Sequence, residues 1–146
     1  MRAQRLATIG YETATLDEVI GKLRDAGVEL LLDVRAVASS RRAGFSKSLL
    51  AGSLAQAGVD YLHLRALGTP KSGREAARAG RTTEMEAIYG EHLLTPEAQM
   101  QLAQAAELAE QRPSALLCYE ADAAHCHRRI VADEIRRRTG LEVVDL

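Results

Sequence analysis

Short apolar runs alternate with amphipathic stretches along the chain. Leu6-Ala7-Thr8-Ile9 is a brief apolar run halted by Gly10 and reads as a buried strand. Thr15-Leu16-Asp17-Glu18 has the form of a capping box, in which hydroxyl and carboxylate satisfy the open N–H groups of a helix start. Leu16, Val19, Ile20 and Leu23 follow at helical spacing, and Gly27 is a natural stop. Leu30-Leu31-Leu32-Asp33-Val34 is apolar without alternation, as suits a strand covered on both faces. Ser46 is placed to cap a second helix, with Phe45 stapled onto Leu50, and that helix runs through Leu49 and Leu54 to Gly58.

Val59 to Leu67 alternates as a third strand, with Tyr61 and His63 on one face. Gly68, Pro70, Gly73 and Gly80, set among basic residues, predict a long mobile loop over 68–82. A second capping box at Thr83 to Glu86 opens a helix carrying Met85, Ile88, Tyr89 and His92. Thr95-Pro96 opens another, carrying Leu102, Ala105, Ala106 and Ala109 and ending before Pro113. Ser114 to Tyr119 is a fourth strand, Cys126 to Thr139 a long helix stopped by Gly140, and Leu141 to Leu146 a final strand. The order β-α-β-α-β-α-α-β-α-β predicts an α/β protein: one three-layer domain over 1–146, with a mostly parallel five-stranded sheet and helices on both faces.

Composition changes this picture little. A chain of 146 residues has the length of one domain. With one Phe, four Tyr and no Trp, its core must be aliphatic. Nineteen basic residues against twenty acidic ones give no overall field that selects nucleic acid or a membrane. Locally, residues 35–81 hold Arg35, Arg41, Arg42, Lys47, Arg65, Lys71, Arg74, Arg78 and Arg81 against only Asp60 and Glu75. No run is long enough to span a bilayer, and the N-terminus reads as a strand start rather than a signal segment. A cytoplasmic location is therefore expected, with Cys118 and Cys126 as thiols; a disulfide between them is the alternative redox state.

The candidate chemistry lies after the strands, where parallel sheets bind ligands. Gly10-Tyr11-Glu12 follows the first strand. Asp33, Arg35 and Ser39-Ser40-Arg41-Arg42 follow the second, with Lys47 just beyond. His63 and Arg65 close the third, and Cys118, Glu120, His125, Cys126, His127 and Arg128 follow the fourth. Four loops distant in sequence should thus converge on one edge. Cys126 opens a helix, where N–H groups and the dipole favour an anion and lower a thiol's pKa, making it the candidate nucleophile. Cys118, ending an apolar strand, reads as a small core residue. Arg35, Arg41 and Arg128, with Ser40 and Lys47, could clamp a phosphate, sulfate or carboxylate. Glu120 or His127 would carry a proton. Asp33 could simply pair with Arg35 to fix a loop, and His63 serves equally well as a structural or a site histidine.

These residues resemble the DUF488 family of small bacterial and archaeal proteins. The likeness rests on Thr8-Ile9-Gly10-Tyr11-Glu12, Asp33-Val34-Arg35 with Ser40-Arg41 and Phe45, Leu67-Gly68, and Leu117-Cys118-Tyr119-Glu120 with Cys126-His127-Arg128. It implies an α/β fold and a shared polar site but no reaction. Family members usually carry Pro where this chain has Ala38, and many carry His where it has Asp145. The Leu-Leu-Asp-Val-Arg strand is also similar to rhodanese-like domains. Their active-site loop, a Cys closed by Arg five or six residues on, is absent here.

Three functions compete. The first is binding of a small anionic or phosphorylated ligand at the strand ends, with thiol-dependent catalysis by Cys126. The second is a non-catalytic nucleotide or nucleic-acid phosphate-binding module, suggested by the basic excess; the scarcity of aromatics speaks against base stacking. The third is a zinc protein using Cys118, Cys126 and His127 with His63 or His125, although the spacing matches no paired Cys-x-x-Cys knuckle. No cofactor is firmly implied, and no membrane partner.

Overall fold

In a computed structural model, residues 5–120 and 126–146 are described. Five strands form one sheet: β1 (Arg5–Gly10), β2 (Leu30–Asp33), β3 (Asp60–His63), β4 (Ser114–Cys118) and β5 (Glu142–Asp145). Their spatial order is β3-β2-β4-β1-β5, and every pairing is parallel. The connecting helices are α1 (Leu16–Asp25), α2 (Lys47–Gln56), α3 (Lys71–Arg78), α4 (Thr82–Leu93), α5 (Pro96–Gln111) and α6 (His127–Thr139).

Two apolar clusters cover the two faces of the sheet. Successive strand residues point to opposite sides, so Leu31 and Leu117 pack with Val19, Leu23, Leu50 and Leu54 of α1 and α2. Leu32 and Leu116 pack instead with Tyr89, Leu102, Val131 and Ile135 of α4, α5 and α6. This is the expected three-layer α/β arrangement, and the unbroken apolar runs of β2 and β4 follow from burial on both faces.

Local capping is part expected and part not. Thr15 forms its full box with Glu18, and Thr95 accepts from Ala98 N. Thr83 forms none: α4 begins one residue earlier, behind Arg81, which pairs with Glu84. Ser46 turns away from α2, since its hydroxyl accepts from Ser40 N and donates to Ser40 O. Phe45 is buried in the same cluster as Leu50, as a staple requires.

The region after β3 departs most from expectation. The third strand stops at His63, and Arg65–Leu67 form a 3-10 turn held by Tyr89 Oη, His92 Nε2 and Gln101 Oε1. The expected loop over 68–82 contains α3. Ala76 is buried in the core, and Gly73 sits where a Cβ would come within 2.5 Å of Thr69 Cγ2 and 3.3 Å of Ile88 Cγ2. Small residues let this short helix lie close on α4, leaving little apolar pattern to read.

Candidate functional site

Register brings the strand ends together: Gly10 lies beside Cys118, and Asp33 beside both Leu117 and His63. Beyond β1 and β4 the chains stay joined, because Tyr119 O accepts from both Tyr11 N and Glu12 N. Gly10 permits a close approach there. A Cβ on it would fall 1.7 Å from Glu120 O and 2.8 Å from Arg128 Nη1.

A cavity of about 380 Å³ opens at this edge. It is lined by Tyr11, Arg35, Cys118, Glu120, Cys126 and His127 of the expected residues, and by Ser39, Thr69, Arg74, Arg78 and Met85 among others. Both cysteines lie on its floor, 1% and 3% exposed, with their sulfurs in the bridging contact of a disulfide. Cys118, expected as a small core residue, is fully buried and also lines this cavity.

Each sulfur has its own proton acceptor. His127 Nε2 must donate to Val34 O, 2.7 Å away, because a carbonyl can only accept. This fixes the tautomer and leaves the Nδ1 lone pair facing Cys126 Sγ at 3.6 Å. Burial pushes the imidazole pKa down to about 4, so the ring accepts a hydrogen bond without holding a charge. Glu120 Oε2 lies 3.6 Å from Cys118 Sγ. Its carboxyl is raised above the usual range, chiefly by burial, with Glu12 adding repulsion and Arg128 opposing.

Arg128 serves both sulfurs. Its backbone N–H donates to Cys126 Sγ, the N-cap atom of α6, at 3.5 Å, and its Nη1 donates to Cys118 Sγ at 3.0 Å. Nη1 also donates to Glu120 O. A helix N-terminus and a guanidinium beside sulfur both favour thiolate over thiol.

Arg35 is engaged within the protein. Its Nε and Nη2 donate to the Asp33 carboxylate, and its Nη1 donates to Tyr11 Oη and Phe45 O at 3.1 and 2.7 Å. Tyr61 Oη donates to the same carboxylate, and burial with that hydrogen bond raises the phenol's pKa. His63 Nε2 donates to Arg35 O at 2.7 Å, which makes it a clamp on the turn after β2. Arg35 and Asp33 thus form the base of the wall, with a fixed guanidinium rather than a mobile clamp.

Other expected residues do not join the described lining. Arg41 and Lys47 are exposed and lie off the cavity. Ser40 is occupied in the turn before α2, accepting from Arg42 N through Oγ. Glu12 is exposed and not part of the lining, and His125 lies outside the described residues. Arg74 and Arg78 of α3, in the stretch expected as a loop, add positive charge to the cavity lining. Arg74 Nη1 donates to Thr69 O, and Arg78 pairs with no carboxylate among the described residues.

For a metal, the ligand atoms of Cys118, Glu120 and Cys126 lie within 4.8 Å of one another. His63 is turned away to Arg35 O and is not part of that set. Among the described residues no helix is long and apolar enough to cross a membrane. A family model described as a domain of unknown function, DUF488, matches residues 15–135. No curated protein matches the chain, and no solved structure does.

Proposed function

The chain belongs to the DUF488 family, a domain of unknown function, and from that premise we propose a thiol-dependent enzyme acting on a small anionic substrate, with Cys126 as the nucleophile. One observation carries this reading: two cysteine sulfurs meet on the floor of a cavity, each beside a proton acceptor and both beside Arg128. In the reduced protein, the α6 N-terminus, through the Arg128 backbone N–H, stabilises the Cys126 thiolate, and the Arg128 guanidinium beside Cys118 adds positive charge to the site. His127 Nδ1 orients the thiol by accepting its hydrogen bond, and Glu120 is placed to take or return a proton at Cys118. The cavity volume suits a small molecule, and Arg74 and Arg78 on its wall favour one with a negative end.

The phosphate-binding alternative draws less support. Of the basic residues that suggested it, Arg35 and Arg42 are held by internal acceptors, Arg42 through Glu12 O and Ala14 O. After reduction, iodoacetamide labelling with peptide mapping tests the enzyme reading. At pH 7, Cys126 is expected to alkylate at least about tenfold faster than a free thiol, whose pKa is near 8.5. A rate no faster than that of a free thiol would remove the reading.

A further inference from the structure

We propose that Cys118 is the resolving thiol of Cys126, and that the pair reduces small disulfides bearing a negatively charged group, seated by Arg74 and Arg78. The inference rests on the nucleophilic role given to Cys126 above and adds a second step and a substrate class. Its ground is the placement of the two sulfurs. They come from different elements, the end of β4 and the N-cap of α6, and both face the cavity rather than the core behind it. A structural cysteine in an aliphatic core needs neither a guanidinium at 3.0 Å nor a carboxylate at 3.6 Å, yet Cys118 has both.

The reaction balances with two electrons. The Cys126 thiolate attacks one sulfur of the substrate R–S–S–R′. A new bond forms between Cys126 Sγ and the substrate's RS sulfur, giving a mixed disulfide, the substrate's own S–S bond breaks, and R′S⁻ leaves. Cys118 then gives its proton to Glu120, and its thiolate attacks the Cys126 sulfur. The Cys118–Cys126 bond forms, and RS⁻ leaves and takes up that proton. The substrate disulfide is reduced to two thiols while the cysteine pair is oxidised. A small-molecule or protein dithiol then reduces the pair by the same exchange and returns it to the starting state.

The site predicts both the order and the selectivity. The guanidinium that steadies Cys118 also favours its thiolate, and because Arg128 touches both sulfurs the second attack is intramolecular. Arg74 and Arg78 of α3 line the same cavity as the two cysteines, so a substrate seated there meets positive charge as well as sulfur.

The test uses the reduced full chain with two chromogenic probes, the dianion dithiobis(nitrobenzoate) and the uncharged dithiodipyridine, followed by stopped-flow absorbance and intact mass. The wild type is expected to release two nitrothiobenzoate anions per chain and to retain no adduct, the second release being independent of probe concentration. The C118S variant is expected to release one and hold the adduct on Cys126. Substituting both Arg74 and Arg78 with Ala is expected to lower the ratio of anionic to uncharged rates about tenfold, the scale of local charge steering. A wild-type protein that keeps adducts on its cysteines overturns the resolving role while leaving the Cys126 nucleophile intact. Absence of any adduct on Cys126 in C118S, with the wild type equally unreactive, removes both. An unchanged rate ratio in the arginine variant overturns the substrate class.

Discussion

His127 shows how a backbone contact sets chemistry one residue away. The Val34 carbonyl decides which ring nitrogen carries the proton, and burial decides that no second proton joins it. Because the folded pKa, about 4, lies below the unfolded value of 6.5, the unfolded chain takes up the proton first as pH falls. Stability from this residue is therefore complete above pH 6.5 and is lost progressively towards pH 4. Between pH 7 and 4.5, the difference in unfolding free energy between wild type and H127Q is expected to shrink by about 2–3 kcal/mol, measured by urea titration. Glu120, whose raised carboxyl acts in the opposite direction, is common to both proteins and cancels. Gly10 allows a second test at this scale. G10A should destabilise by about 1–3 kcal/mol, as overpacking does, because the new Cβ meets a backbone oxygen that cannot swing aside; a denaturant midpoint reads it. The sequence pointed to Cys126, Glu120 and His127 through residue type and strand-end position. Cys118 was legible as a buried residue at a strand end, but its contacts with Arg128 and Glu120 were not, because they depend on what the following loop and helix bring against the strand tip.

At the scale of elements, α3 is the part of the site that the sequence hid. Its buried face is made by Gly73 and Ala76, too small to produce a visible apolar stripe, and Pro70 and Gly80 at its two ends read as loop punctuation. In fact Pro70 precedes the first turn and Gly80, at φ 77°, follows the last. Arg74 and Arg78 were legible as charge but not as neighbours, since residues four apart become adjacent on one face only once the segment is recognised as a helix. The close packing distinguishes two glycines in helix interiors. G52A, exposed on α2 with nothing near its new methyl, is expected to stabilise by about 1 kcal/mol, the ordinary Gly-to-Ala gain. G73A should lose that gain and lower the denaturant midpoint, because Thr69 and Ile88 occupy the space. A raised midpoint in G73A would mean that α3 does not sit on α4 as described.

For the whole molecule, the alternation of apolar runs and helical stretches was enough to give the sheet, its parallel sense and the two covered faces. What it could not give was the order of strands, on which the site depends. The Asp33–Arg35 pair shows the dependence, since it joins β2 to Tyr61 on β3, to Tyr11 after β1 and to Phe45 before α2. Removing one charge of a buried pair leaves the other uncompensated, so D33N is expected to cost about 3–5 kcal/mol in urea unfolding. That is a large share of the roughly 5–15 kcal/mol by which a domain is stable. Strand order also has a consequence for how the protein is made. β1 has only β4 and β5 as neighbours, and β2 reaches β1 only through β4. On the ribosome, the first strand therefore waits for a partner until residue 114 and beyond have emerged, a long-range closure of the kind that slows folding and leaves nascent edges exposed. The strand that ends this wait carries Cys118 at its tip, so the nascent chain gains its central ladder and the first of its two sulfurs in the same event.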